Sequence, residues 1–130
     1  MSLPLRFEGM TLTVADVERS LAFYEGKLGL HCEVRAAPNF AMLRVGDGTI
    51  GLLSLDVARK EGAAETTPAQ KRAIHVELST DDLDAVYEDL KARGVVFESP
   101  PHDEPWERSA TALDPDGYLV ELAQGRRGKK

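Results

Sequence analysis

The sequence predicts an α+β fold in which one βαβββ unit occurs twice. Two observations lead there: a helix-and-strand pattern that recurs at a fixed interval, and a composition suited to one small packed protein. The stretches "MTLTVADVERSLAFYEGKLGL" and "HVELSTDDLDAVYEDLKARGV" each pass from strand-like alternation to helical spacing and then to a glycine. Laid on each other, "MTLTVADV" and "VELSTDDL" are offset by 66 positions (76 − 10), and the two glycines by 65 (94 − 29). A shared period of this length marks a duplicated supersecondary unit. The chain has 130 residues, 42% of them hydrophobic and 29% charged, which fits a single globular domain built from two halves that share a core.

In the first half, Met10, Leu12 and Val14 alternate with Thr11 and Thr13, the period of a strand. Asp16 stands where an N-cap belongs. Val17, Leu21, Tyr24 and Leu28 follow at helical spacing, and Gly29 ends the helix. Three strands come next, "LHCEVRA", "FAMLRV" and "TIGLLSL", separated by turns at "APN" and "GDG". The segment "DVARKEGAAETTPAQKR" is polar, poor in pattern and reads as a surface linker.

The second half repeats the order. Val76 and Leu78 alternate with His75, Glu77 and Ser79, and Asp81 or Asp82 caps a helix with a buried stripe of Leu83, Val86, Tyr87 and Leu90. Gly94 stops it. "VVFESP", a long proline-rich loop, "ATALD", the turn "PDG" and "YLVELAQ" complete the unit. The expected modules run over about 5–56 and 72–124, and the basic stretch 125–130 is expected to be a disordered tail. A four-stranded sheet with one helix covers only one face, so the other face is where a function has room to sit.

The formal net charge of −6 argues against nucleic acid as the main partner. No apolar run approaches the roughly 18–20 residues that span a bilayer, and "MSLPLRFEGM" lacks the basic and apolar regions of a secretory signal. Cys32 is the only cysteine, so no intrachain disulfide forms and a cytoplasmic location is expected. Cys32 itself reads as a small buried or half-buried hydrophobe.

The segments "TLTVADVERSLAFYEGKLGL", "HVELSTDDLDAVYEDLKARGV" and "EPWERSATALDPDGYLVEL" together resemble the vicinal oxygen chelate superfamily, which includes glyoxalase I, the bleomycin-resistance proteins and the extradiol dioxygenases. The resemblance implies two βαβββ modules whose curved mixed sheets form a cavity. It also implies that any divalent metal is held by His, Glu or Gln on the first and last strands of the modules. By that pattern the first-strand position of the second module falls on His75 and the last-strand position on Glu121. Those of the first module fall on Gly9 and on Gly51, or on Leu52 if the turns are aligned instead.

Glycine and leucine offer no side-chain ligand, so two of the four positions are empty. Glu77 lies two residues beyond His75 on the same strand face, giving His75, Glu77 and Glu121 as a one-imidazole, two-carboxylate cluster. Glu8 is expected to point away, and His31 and His102 fall on a second strand and a loop, poorer places for a ligand. In a desolvated cavity without a metal, two neighbouring carboxylates repel, so one takes up a proton more readily or His75 is held charged. Glu121 and Glu77 are the expected acid and base groups. Trp106 is either a plug beneath its loop or an aromatic wall for a planar ligand. Thr11, Thr13, Thr49 and Leu53 are expected to line the ligand site by alternation.

Three functions follow from these residues. The favoured one is a small-molecule binding protein like the bleomycin-resistance group, with either no cofactor or a weakly bound divalent Zn, Ni, Mn or Fe. The second is a metal-dependent lyase, isomerase or dioxygenase-like enzyme using His75 and Glu121. The third is an assembly or regulatory protein. A homodimer is expected, although identical chains would not restore the missing ligands.

Overall fold

The structure is a computed structural model, and it describes residues 3–125. Of the basic tail expected at 125–130, everything after Gly125 lies outside them. The elements follow the duplicated order: β1 (Gly9–Val14), α1 (Val17–Leu21), β2 (His31–Ala36), β3 (Phe40–Val45), β4 (Gly48–Ser54), α2 (Leu55–Lys60), α3 (Pro68–Arg72), β5 (His75–Ser79), α4 (Leu83–Ala92), β6 (Val96–Asp103), β7 (Glu107–Leu113) and β8 (Leu119–Gly125). Contacts group them into two compact units that divide between Glu65 and Thr66. The α+β class expected from the sequence is what the strands and helices form.

The first unit is one four-stranded sheet in the order β1-β4-β3-β2. β1 and β4 run parallel, and β4–β3 and β3–β2 are antiparallel. The Asp16 side chain accepts from the Arg19 backbone N–H and caps α1, as its position predicts. The helix does not stay α-helical to Leu28, however: residues Ala22–Lys27 form a π-helical turn. The Leu28 N–H donates to Phe23 O and the Leu30 N–H to Tyr24 O. Adjacent Phe23 and Tyr24 are both buried in this wider turn, their rings edge to face at 4.9 Å. Gly29 ends the element at φ 78°, a left-handed conformation that favours glycine. Leu12, Val14, Val17, Leu21, Tyr24, Leu43 and Leu52 are buried and make the core of this unit.

The second unit repeats the topology, with sheet order β5-β8-β7-β6 and again one parallel and two antiparallel pairings. Asp82 rather than Asp81 caps α4, accepting from the Ala85 N–H. Val76, Leu83, Leu90, Ala110, Ala112, Tyr118, Val120 and Leu122 are buried. In the turn before β8, one Asp114 carboxylate oxygen accepts from the backbone N–H of both Asp116 and Tyr118.

Two expectations need correction. The segment read as a patternless linker carries two short helices. Ser54 caps α2 by accepting from Val57 N–H, and Thr67 and Gln70 form a reciprocal capping box around Pro68 at the start of α3. The long proline-rich loop is also shorter than expected, because β6 continues through Pro100 and Pro101 to Asp103 and β7 already begins at Glu107. Register shifts between Phe97 and Ser99 and between Ser99 and His102 absorb the two prolines on this edge strand.

Candidate metal and ligand site on the second sheet

In β5 and β8, Val76, Val120 and Leu122 turn to the core, so Glu77 and Glu121 stand on the opposite face. The parallel register sets Glu77 directly against Glu121, with His75 two residues earlier on the same strand. One nitrogen of His75 and one oxygen each of Glu77 and Glu121 lie within 4.8 Å of one another. The acid that interrupts the apolar run of β8 therefore faces away from the helix-packed layer and joins the imidazole expected to accompany it.

Glu121 is half-buried while His75 and Glu77 are exposed. Burial raises the proton affinity of Glu121, and the negative charges of Glu77 and Glu107 raise it further, while His75 acts in the opposite direction. This is the behaviour of a carboxylate drawn partly out of water and set beside its own kind. Zinc binds such nitrogen and oxygen donors at about 2.0–2.2 Å, and three protein ligands with an open position are usual for a catalytic ion. A donor set of one imidazole and two carboxylates with their ligand atoms this close fits a divalent cation, and its positive charge would relieve the crowding that raises Glu121.

Glu107 was missed by sequence reasoning because "EPWERS" reads as loop. It is 5% exposed on β7. The register Glu107↔Gly125, Ser109↔Ala123, Thr111↔Glu121 puts it on the same sheet face as Glu121. The alternation of Glu107, Ser109 and Thr111 with Arg108, Ala110 and Ala112 was the signal that could have found it.

The first sheet carries no such cluster at the matching places. Thr11 pairs with Gly51 where Glu77 pairs with Glu121, so the register selects Gly51 over Leu52 as the counterpart of the acid. Both glycines are held by close approach. A Cβ on Gly9 would sit 2.2 Å from Thr49 Oγ1 and 2.3 Å from the Thr49 carbonyl oxygen, closer than atoms can come. A Cβ on Gly51 would sit 3.0 Å from Thr11 Oγ1 and 3.3 Å from Phe40 Cε1, so the Phe40 ring and the Thr11 hydroxyl occupy the space a side chain would need.

The other expected site residues are distributed as follows. Thr11, Thr13, Thr49 and Leu53 share the face of the first sheet turned from its core, with Thr13 paired to Leu53. Trp106 lies between β6 and β7 and is 57% exposed, which removes the reading as a buried plug. His31 is exposed on β2. His102 is on β6 rather than on a loop, with Nδ1 2.9 Å from the Pro100 carbonyl oxygen and Nε2 3.0 Å from the Glu104 carboxylate. The Pro100 carbonyl is the main cause that raises its proton affinity. Cys32 is half-buried, its thiol donating to Val34 O. A separate cleft of about 200 Å³ is lined by Pro68, Lys71, Arg72, Leu113, Asp116 and Gly117 and includes none of the three clustered residues. Among the described residues no helix is long and apolar enough to cross a membrane.

The model of the Glyoxalase/Bleomycin resistance protein/Dioxygenase superfamily matches residues 6–122. The chain belongs to this superfamily. The chain is similar to the uncharacterized protein YraH of Bacillus subtilis, 31% identical over 122 residues that span 85% of this chain and 91% of that protein. A Vibrio cholerae protein described as a "Probable lactoylglutathione lyase" is 28% identical over 123 residues, 88% of this chain and 87% of that one. A crystal structure of a glyoxalase/bleomycin resistance protein/dioxygenase from Nocardioides is 29% identical and superposes with a TM-score of 0.81, covering 100% of this chain and 89% of its own.

Proposed function

We propose that this superfamily member binds a small oxygen-bearing molecule through a divalent cation held by His75, Glu77 and Glu121. The convergence of those three ligand atoms within 4.8 Å carries the reading. When bound, such an ion acts as a Lewis acid toward a carbonyl or a pair of adjacent oxygens on the ligand. The residues supply the rest. His75 would offer one ring nitrogen. Glu77 and Glu121 supply two negative charges, and the pairing of β5 with β8 fixes their spacing. Three protein ligands leave positions open for the molecule's oxygens. Because Gly9 and Gly51 are sterically closed, the first sheet contributes no ligand at its matched positions. Exposed Trp106 then serves as an aromatic surface for a planar part of the molecule.

The test uses acetohydroxamate, a probe that presents two adjacent oxygens. After dialysis against Zn²⁺, Ni²⁺, Mn²⁺ or Fe²⁺, the wild-type chain is expected to bind the probe only when loaded, with a change in Trp106 fluorescence. Binding of the probe by the chelator-treated chain with equal affinity would replace this reading with metal-free recognition.

The enzymatic alternative, a metal-dependent lyase, isomerase or dioxygenase-like activity, is favoured by the Vibrio cholerae relative's description. In that case Glu77 or Glu121 moves the proton, and burial raises the proton affinity of Glu121. Turnover of lactoylglutathione by the loaded chain, lost in Glu121→Gln, is the outcome that would select it.

A further inference from the structure

Two prolines interrupt the pairing of β6 with β7. Pro100 and Pro101 have no N–H to give, and the register slips by one residue between Ser99 and His102, whose partners on β7 are Thr111 and Ser109. β6 is also an end strand of its sheet, with no second strand beside it. A side chain spans the gap instead. The His102 ring reaches back to the Pro100 carbonyl oxygen through Nδ1 at 2.9 Å and forward to the Glu104 carboxylate through Nε2 at 3.0 Å. Glu104 in turn closes a tight turn with Glu107, each giving its backbone N–H to the other's carbonyl oxygen, at 2.6 and 3.3 Å. Pro105 and Trp106 lie inside that turn.

Both partners of the ring are acceptors. A carbonyl oxygen has no proton to offer, and an ionised carboxylate has none either, so the two bonds together require an N–H on both ring nitrogens. A neutral imidazole carries only one and must turn a lone pair toward the other oxygen. We propose that His102 is a pH-sensitive clamp: doubly protonated, it ties the β6 bulge to the β6–β7 turn and fixes Trp106, and on losing a proton it releases one of the two and loosens that turn. The surrounding charges favour the closed form. The Pro100 carbonyl, and after it Glu104, raise the proton affinity of the ring, against partial burial and the charge of Arg108. Arg108 is itself bonded to Asp103 on β6 and to Asp84 on α4. Glu98 on β6 is held by Arg72, and Glu107 stands on the sheet face of His102, which lies opposite Ser109. On the reading of Trp106 as an aromatic surface, its contact with a ligand is firmest while the clamp is closed. The clamp itself rests neither on that reading nor on the cation site.

Nuclear magnetic resonance of the full, chelator-treated chain without ligand tests it, following the His102 ring and the Trp106 indole N–H from pH 5 to pH 9. His102 is expected to titrate above histidine's ordinary value, and the Trp106 indole and the Glu104 and Glu107 amides to shift with the same midpoint. Glu104→Gln is expected to lower the midpoint of His102 and to carry the Trp106 step down with it. His102→Gln is expected to abolish that step. At pH 6 it is also expected to reduce the hydrogen-exchange protection of the Glu104 and Glu107 amides about two- to fivefold, the scale of a solvated ion pair. The replaced side chains are partly exposed, and an unchanged near-ultraviolet circular dichroism spectrum checks that each variant folds. A His102 midpoint at or below the ordinary value, a Trp106 indole that does not follow it, or a His102→Gln chain with undiminished protection in the turn overturns the proposal.

Discussion

The two units have the same strand order and corresponding registers between their parallel strands, yet one face carries an imidazole and two carboxylates and the other carries threonines, leucine and glycine. Thr11 against Gly51 stands where Glu77 stands against Glu121. The first sheet has not simply lost its ligands. At Gly9 the backbone of β4 has closed in, and at Gly51 the Phe40 ring lies where a side chain would be. Both units keep a buried sheet face and a helix, and their opposite faces carry different residues.

The sharpest break of that comparison is to force the first sheet to imitate the second. Gly9→His meets the Thr49 backbone, and the mutant is expected to lose about 3 kcal/mol or more of stability in denaturant unfolding. The matching change His75→Gly removes an exposed side chain and is expected to cost under about 1 kcal/mol, the glycine's own strand penalty. Equal losses at the two positions would contradict the steric asymmetry. Gly51→Ala is intermediate. Its new methyl group meets a hydroxyl and a ring edge that can rotate aside, so about 1 kcal/mol is expected, with Phe40→Ala in the same chain relieving part of it.

A smaller effect separates the carboxylates. Because Glu121 holds its proton more tightly in the folded chain than in the unfolded one, its contribution favours the fold at low pH and is lost as pH rises through the raised value. Glu121→Gln is therefore expected to make the chelator-treated chain slightly more stable at pH 7, with the difference vanishing below the unfolded carboxylate range. A thermal melt series from pH 4 to pH 8 checks the sign. Surface ion pairs should matter least. The Arg108 guanidinium lowers the pKa of Asp84, so that pair's contribution is present above the ordinary aspartate range and fades as pH falls through the lowered value. Asp84 is well solvated and the half-buried Arg108 keeps its bond to Asp103, so Asp84→Asn is expected to leave the melting temperature nearly unchanged at pH 7.

The legible parts of the sequence were those where local chemistry and repeat agreed. Asp16 and the Asp81–Asp82 pair announced helix starts, Gly29 and Gly94 announced stops, the family resemblance pointed to His75 and Glu121, and the interval between halves led from His75 to Gly9. Glu77 followed from strand alternation alone. What stayed hidden depended on pairing or on short-range exchange of hydrogen bonds. α3 rests on a capping box inside a stretch with no apolar period, so a reading by periodicity passes over it. The π-helical turn at Ala22–Lys27 has the same apolar spacing as an α-helix until both Phe23 and Tyr24 must be buried. Glu107 disappeared because two prolines in β6 suggested a loop where bulges let the strand continue. The closure of Gly9 and Gly51 is a property of neighbouring strands, which no single segment records.

An ion bound as proposed would sit on the second sheet and have no counterpart at the matched positions of the first. Metal content of the full chain, measured after loading with Mn²⁺ and desalting, tests it most directly in three forms: wild type, His75→Ala and Thr11→Ala. One ion per chain is expected in the wild type and in Thr11→Ala, with most of it lost in His75→Ala. A wild type that retains no ion, or a His75→Ala chain that retains as much as the wild type, would contradict the account.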